Sequence, residues 1–222
     1  MVLEIISVYF RRNKRLIFHN FSLKLKKSQT LILIGNNGAG KTSLFELIVG
    51  LLEPTSGQIK IYNVETSNLD MPRRRFFTFI PHKDSLKDNL TILENLEAWL
   101  TISELNASKN SVQKSLKFYQ LSDFKNSLVS NLSQGQRKKV SLSKLLLSQN
   151  KLWLLDEPFN GLDIQSVKKT KSLIEKHTLN GGSVILSNHI SLSLKNSKKI
   201  FLSSKKLFEK NFAVKFDDWG DI

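Results

Sequence analysis

The sequence predicts an α/β domain with a mixed β core and an inserted helical subdomain. Short segments rich in β-branched and aromatic residues alternate with helical patterns in both outer parts of the chain. Between them, from Thr91 to about Gln120, only helical spacing is found. The length of 222 residues suits one domain with a subdomain. We predict a single domain over 1–222, with its core at about 1–84 and 151–222 and its helical subdomain at about 85–150.

The first half of the chain alternates strand-like segments with one helix. The strands rest on β-branched and aromatic residues bounded by polar or glycine turns, and they cover 2–10, 21–25, 31–34, 58–61 and 76–80. A helix is predicted after Gly40, because apolar residues recur at helical spacing from Leu44 to Leu51. The Pro- and Gly-containing cluster at 53–57 ends it.

The second half begins with helices and then returns to α/β alternation. Leucine and aromatic spacing predicts helices around 93–100 and 112–119, and a third helix is predicted at 133–148. A strand at 152–155, a helix at 164–178 and a strand at 183–187 follow. Short segments at 200–203 and 206–208 close the chain.

The charge and the absent cysteines limit the possible functions. Lys and Arg total 34 against 19 Asp and Glu, a formal net charge of +15. Such a charge is typical of proteins that bind nucleic acid or an anionic membrane surface. The lysine excess is also expected from the codon bias of an AT-rich genome, and we favour this explanation. The lack of cysteine excludes disulfides, thiolate zinc sites and thiol nucleophiles. No apolar run approaches the roughly 20 residues of a membrane helix, and residues 2–10 lack the basic region of a signal peptide, so we expect a soluble or peripheral protein.

A glycine-rich loop joins the strand at 31–34 to the helix that follows. It matches Gly-x-x-x-x-Gly-Lys-Ser/Thr through Gly35, Asn36, Asn37, Gly38, Ala39, Gly40, Lys41, Thr42 and Ser43. The glycines let backbone N–H groups converge on phosphates, and the helix N-terminus adds a favourable dipole. We predict that Lys41 reaches the β- and γ-phosphates of a nucleotide and that the Thr42 hydroxyl binds Mg²⁺.

Two adjacent carboxylates, Asp156 and Glu157, end the strand at 152–155. Adjacent residues of a strand point to opposite sides, so we assign them different roles. Asp156 is predicted to hold Mg²⁺ through water. Glu157 is predicted to orient or deprotonate the attacking water, a role that typically contributes about 10²–10⁴-fold in rate.

Further motifs resemble those of ATP-binding cassette (ABC) ATPases. Leu132-Ser133-Gln134-Gly135-Gln136 is similar to the Leu-Ser-Gly-Gly-Gln signature, and Asn160-Gly161-Leu162-Asp163 resembles the D-loop of that family. His189 resembles its switch histidine. These motifs follow one another in the family's order over 35–189, so the chain is identified as a member, and the resemblance implies a P-loop NTPase fold of the ABC type.

The resemblance also implies ligands and partners. It implies ATP and Mg²⁺ as cofactors, and His189 as a γ-phosphate contact. Ser133, Gly135 and Gln136 would close on the γ-phosphate held by an opposite protomer, with Asp163 in the same nucleotide-binding set. Since one chain carries one phosphate loop and one signature, two complete sites require a homodimer. The family further implies integral membrane subunits as partners.

Two positions depart from the family pattern. Lys83 occupies the place of a glutamine that links Mg²⁺ to the helical subdomain, and lysine cannot bind a metal cation. The adenine-stacking aromatic near the N-terminus is assigned to Phe10, with Tyr9 as the other candidate and Arg11 or Arg12 as stacking alternatives.

Finer features look like the ATP-binding subunits of haem exporters used in cytochrome c maturation. These features are Phe159 after Asp156-Glu157-Pro158, His82 together with 90–96, and the segment 177–186. The resemblance implies a peripheral location on an inner membrane, on the cytoplasmic face in a bacterium or the matrix face if the gene is mitochondrial. We do not expect this subunit to bind haem directly.

The sequence leaves three alternative functions open. The chain could serve another ABC exporter, which would share every catalytic residue. A non-transport ABC protein acting on nucleic acid or ribosomes would explain the charge, but such proteins carry two cassettes or a long coiled-coil insertion, so we do not expect nucleic acid as a partner. A cassette that binds nucleotide and hydrolyses it poorly is the third alternative, because of Lys83.

Overall fold

A computed structural model describes residues 1–66, 76–105, 107–188 and 193–202. Within these ranges the strands are β1 (Leu3–Arg12), β2 (Arg15–Leu25), β3 (Thr30–Ile34), β4 (Ser56–Ile61), β5 (Val64–Glu65), β6 (Phe77–Ile80), β7 (Leu152–Leu155), β8 (Ser183–Asn188) and β9 (Ser197–Phe201). The α-helices are α1 (Lys41–Val49), α2 (Ile92–Ile102), α3 (Lys109–Phe118), α4 (Gln134–Leu147) and α5 (Ile164–Leu179). The predicted segment at 206–208 lies outside the described residues.

A five-stranded parallel sheet in the order β6-β7-β8-β3-β9 forms the centre. Its inner strands are buried on both faces, which explains their uninterrupted apolar sequences. Because all five strands point the same way, their carboxyl ends meet at one edge of the sheet. The phosphate loop follows β3 there, and the carboxylate pair follows β7.

The core consists of two apolar clusters on opposite faces of the parallel sheet. Alternate residues of each strand enter different clusters, as the two-residue period of a strand requires. Leu154 lies with α1 and the antiparallel sheet, whereas its neighbour Leu155 lies with residues of the helical segment and α5. The predicted helices of the middle of the chain are therefore confirmed, and they cover the second face.

An antiparallel sheet of β2, β1, β4 and β5 covers the first face. Strand β2 begins at Arg15, six positions before the predicted start at 21. The first half of β2 was not predicted because the polar residues His19 and Asn20 interrupt the apolar pattern. The φ of 51° at Asn20 also interrupts the alternation of side chains between the two faces of the strand. The two-residue strand β5 was also not predicted, because it is too short to show a period.

Among the described residues, no helix is both long and apolar enough to cross a bilayer.

Candidate functional site

The phosphate loop runs from the end of β3 to the start of α1. Gly38 and Gly40 have φ values of 77° and 98°, which favour glycine. At Gly35 an added Cβ would lie 2.5 Å from the Leu202 carbonyl oxygen, so the loop fits closely against the end of β9. Helix α1 begins after Gly40 with no side-chain cap on its first amides. Its N-terminus therefore has the form of an anion site.

Lys41 lies inside this loop, and only 5% of the residue is exposed. Its Nζ donates to the carbonyl oxygens of Gly35 at 2.6 Å and Asn36 at 3.3 Å. The same Nζ is 3.9 Å from Glu157 Oε1. The ammonium group thus lies between the loop backbone and the carboxylate predicted to act as the base.

Thr42 and Asp156 come together from different segments of the chain. The Thr42 hydroxyl donates to Asp156 Oδ2 at 2.8 Å, and Ser187 Oγ donates to Asp156 Oδ1 at 2.6 Å. Asp156 is 1% exposed. A buried carboxylate beside a hydroxyl supplies the hard oxygen ligands that Mg²⁺ prefers, so these residues fit the metal.

Glu157 is held in an unusual backbone conformation, with a φ of 49°. Its N–H donates to Ser187 Oγ at 2.9 Å, so a single hydroxyl contacts both members of the carboxylate pair. Its Oε2 accepts from Asn160 Nδ2 at 2.5 Å and lies 3.0 Å from His82 Nδ1. Strained residues that surrounding contacts hold in place are common at functional sites.

A cavity of about 470 Å³ opens beside the loop. Besides the loop and Glu157, its lining comes from the β1–β2 hairpin, through Arg12, Asn13, Arg15 and Ile17. Its volume lies in the range of small-molecule sites. The convergence of Lys41, Thr42 and Glu157 on this cavity makes it the candidate nucleotide site.

The assignment of adenine stacking to Phe10 is wrong. Strand alternation turns this side chain inward, where it is 5% exposed and its ring centroid lies 6.5 Å from that of Phe18. Its neighbour Tyr9 makes an edge contact with His19 at 4.8 Å. Of the residues considered, Arg12 lines the cavity, and its Nη1 donates to Glu46 Oε2 at 2.7 Å.

The signature residues form the first turn of α4. Ser133 Oγ accepts from the Gln136 N–H at 3.2 Å, and Gln136 Oε1 accepts from the Ser133 N–H at 2.9 Å, a reciprocal capping box. A Cβ on Gly135 would lie 2.7 Å from the Gly161 carbonyl oxygen, so this turn contacts the D-loop directly. In the described part of the chain, none of these signature residues lines the cavity.

Asp163 caps helix α5. Its carboxylate accepts from Lys139 Nζ at 2.6 Å and from the Ser166 N–H at 2.8 Å. These hydrogen bonds, that of Lys139 first, hold the pKa of Asp163 well below its usual range. Its assignment to the nucleotide site stays a prediction, as does that of His189, which lies outside the described residues.

Several contacts around the site were not predicted. The Asp84 carboxylate accepts hydrogen bonds from Nε and Nη2 of Arg137, each at 2.9 Å, and Arg137 Nη1 donates to Asp88 Oδ1 at 2.6 Å. These bonds tie the segment that contains Lys83, which is exposed, to α4. Lys138 Nζ donates to the Asp156 carbonyl oxygen at 3.4 Å, and burial lowers the pKa of Lys138. Partners so distant in sequence leave no motif.

Comparison with known proteins places these features in context. The sequence profile of the family described as ABC transporter matches residues 18–160. The cytochrome c biogenesis ATP-binding export protein CcmA of Reclinomonas americana is 35% identical over 199 residues, covering 89% of this chain and 89% of that protein. The protein of the same name from Pseudomonas fluorescens (strain Pf0-1) is 35% identical over 192 residues, covering 86% of this chain and 90% of that protein.

Solved structures give a consistent result. A dimeric ATP-binding cassette in a post-hydrolysis state, bound to ADP and Pi, matches with a TM-score of 0.81 and 25% identity, covering 91% of this chain and 94% of that chain. An ATP-binding subunit of an ABC transporter matches with a TM-score of 0.81 and 24% identity, covering 92% and 87%. These similarities confirm the predicted fold class.

Proposed function

Because this chain belongs to the ABC transporter family, we propose that it is the ATP-binding and hydrolysing subunit of the inner-membrane haem exporter of cytochrome c maturation. The observation that carries ATP hydrolysis is the meeting of Lys41, Thr42, Asp156 and Glu157 at one end of the parallel sheet. The haem-exporter assignment is supported by the similarity to the two export proteins over most of their length. Another ABC exporter remains the alternative, since it would use the same site.

We assign the phosphates of ATP to the N-terminus of α1. The loop amides would donate to phosphate oxygens. Lys41 Nζ would exchange its present contacts with the Gly35 and Asn36 carbonyl oxygens for contacts with the phosphates. The hairpin residues Arg12, Asn13, Arg15 and Ile17 form the rest of the cavity, and we assign the sugar and base to them. In this arrangement the guanidinium group of Arg12 stacks on the base in place of the predicted aromatic ring of Phe10.

Thr42 and Asp156 would hold Mg²⁺, as their shared hydrogen bond and the chemistry of their oxygens support. The bound cation would neutralise charge on the phosphate oxygens. Ser187 fixes Asp156 through its second oxygen, so the carboxylate keeps its orientation before any ligand arrives.

Glu157 would orient and deprotonate the water that attacks the γ-phosphate. Its burial and its bonds to Asn160 and Ser187 hold it at the edge of the cavity beside Lys41. The family resemblance adds His189 as a second contact to the γ-phosphate. Lys41 would stabilise the charge that develops on the transferred group.

Two copies of the chain would complete two sites. The signature residues Ser133, Gly135 and Gln136 of one copy would close on the nucleotide held by the other, with Asp163 at the same junction. We divide the chain into a core at about 1–84 and 151–222 and a helical subdomain at about 85–150. Closure of the two copies on the nucleotide would move the core and the helical subdomain relative to each other. Integral membrane subunits would convert this movement into export, with this subunit peripheral on the inner membrane.

The closure can be tested with a Glu157→Gln variant. Removing the base while keeping the side-chain shape should trap ATP, so the variant should form a stable dimer with ATP and Mg²⁺ but remain monomeric with ADP. Light scattering measures the mass, and a Lys41→Ala/Glu157→Gln double variant is the control, because it should not bind ATP. A monomer under ATP would contradict the mechanism.

The transport assignment needs a separate experiment. Purification of the tagged chain from its native membranes should recover integral membrane subunits, and loss of the chain should reduce covalent haem attachment to c-type cytochromes. Recovery of membrane subunits with unchanged cytochromes would favour the other exporter. Steep salt-dependent binding of RNA or DNA would contradict both.

A further inference from the structure

The Glu157 carboxylate contacts two polar side chains, Asn160 three residues further along the chain and His82 just after β6. Both contacts are on the same oxygen, since Oε2 accepts from Asn160 Nδ2 at 2.5 Å and lies 3.0 Å from His82 Nδ1. The other oxygen, Oε1, lies 3.9 Å from Lys41 Nζ. We propose that His82 is a positioning residue for the base of ATP hydrolysis, so the inference rests on the proposed function.

Lys41 and His82 compete for the Glu157 carboxylate, and this competition explains the proposed role of His82. The Lys41 ammonium group, at 3.9 Å, is close enough to draw the Glu157 carboxylate into a direct ion pair. In such a pair Lys41 could not contact the phosphates and Glu157 could not orient the attacking water. The contact of His82 Nδ1 with Oε2 at 3.0 Å holds the second carboxylate oxygen and opposes this movement. Asn160 acts from the D-loop side in the same sense. Glu157 therefore keeps an orientation directed at the γ-phosphate side of the cavity, and orientation of a reacting group contributes directly to rate.

The position of His82 also connects the base to the signature helix. His82 follows β6 and lies two residues before Asp84, which holds Arg137 of α4 through two hydrogen bonds. A displacement of α4 during closure would reach the His82 ring through this short segment. The side chain is 56% exposed, so it contributes little to the core and its replacement should leave the fold intact.

Steady-state ATPase measurements on the full chain test the proposal. His82→Ala should lower kcat by about tenfold, the value of one hydrogen bond to a charged group, with KM for ATP unchanged. His82→Asn should restore most of the rate because its amide nitrogen occupies the position of Nδ1, whereas His82→Gln should not. His19→Ala, which removes another exposed histidine, is the control and should match the wild type.

A second measurement separates positioning from a structural role. In the Glu157→Gln background the residual rate should be the same with and without His82→Ala, because the group being positioned is already gone. The proposal is overturned if His82→Ala keeps the wild-type kcat, if the loss is in KM, if Asn fails to rescue, or if the effects of the two substitutions multiply. A wild-type chain that hydrolyses no ATP would instead reject the proposed function itself.

Discussion

Helices α1 and α4 both begin where a phosphate is proposed to bind, but their first turns are in different states. At α1 the N-cap is Gly40, which has no side chain to cap the amides that follow. At α4 the N-cap is Ser133, which forms a complete capping box with Gln136. One terminus is therefore open to a ligand, whereas the other has satisfied its own hydrogen bonds.

This difference assigns nucleotide binding within one chain to α1 and contact with the nucleotide of a second copy to α4. The N-cap of α1 supplies no side-chain cap, so a phosphate can bind at this first turn and we expect nucleotide binding in a single chain. The α4 terminus is stable alone. Its Ser133 hydroxyl accepts from the Gln136 N–H and, as a hydroxyl, can donate to a second group at the same time. The signature turn can thus contact a nucleotide on another copy without giving up its own cap.

The largest expected effect is at α1. Lys41→Ala should reduce both nucleotide affinity and ATP hydrolysis by about 100-fold or more, because it removes the charge aimed at the phosphates. Titration with a fluorescent ATP analogue measures the affinity. Lys24→Ala, which removes a surface lysine paired with Glu4 at 3.2 Å, is the matched control and should bind normally. Near-normal binding by Lys41→Ala would show that this terminus does not hold the phosphates.

A smaller and more selective effect is expected at α4. Ser133→Ala should lower kcat by about tenfold and weaken the ATP-dependent dimer, with the affinity of the single chain for nucleotide unchanged. It should also cost about 1 kcal/mol of stability through the lost cap. Chemical denaturation and light scattering measure the two effects.

The cap of α3 supplies the control for that substitution. Ser108 accepts from the Ser111 N–H as Ser133 does from Gln136, but it lies outside the signature. Ser108→Ala should cause a comparable loss of stability and leave kcat and dimer formation intact. Equal loss of activity in both variants would mean that Ser133 acts only as a helix cap.

The smallest expected effect concerns Lys83, in the segment that follows β6 and is hydrogen-bonded to α4 through Asp84. Lys83→Gln should raise Mg²⁺-dependent turnover by up to about fivefold, because an amide oxygen can contact the metal shell where an ammonium group cannot. The exposed Lys87→Gln on the same segment is the control and should have no effect. An unchanged rate in Lys83→Gln would show that the placement of Lys83 at the glutamine position is mistaken.

The sequence predicted what lies within a few residues of a motif. The phosphate loop and the carboxylate pair were found because their elements are contiguous, and the buried strands were found because both of their faces are apolar. The start of α4 was predicted at the signature segment 132–136, which is contiguous in the same way, whereas its capping box is visible only in the structure.

What the sequence did not predict depends on the three-dimensional approach of distant segments. Ser187 and His82 reach the carboxylates from distant strands and loops, and no spacing rule links them. Asn160 lies only three residues after Glu157, but no sequence motif marks its contact with the carboxylate. The bridge from Asp84 to Arg137 is of the same kind. Phe10 was misassigned because its position in the chain resembles that of a stacking residue, whereas strand alternation decides which way it faces.

The common direction of the central strands has a practical consequence. The phosphate loop and the carboxylate pair lie at their carboxyl ends, whereas Lys195, which precedes β9, lies at the opposite end of the strands and is exposed. Since the chain has no cysteine, a Lys195→Cys substitution would create a unique thiol for a fluorophore or spin label. Such a probe could report the distance between two copies in real time without touching the groups that hold ATP.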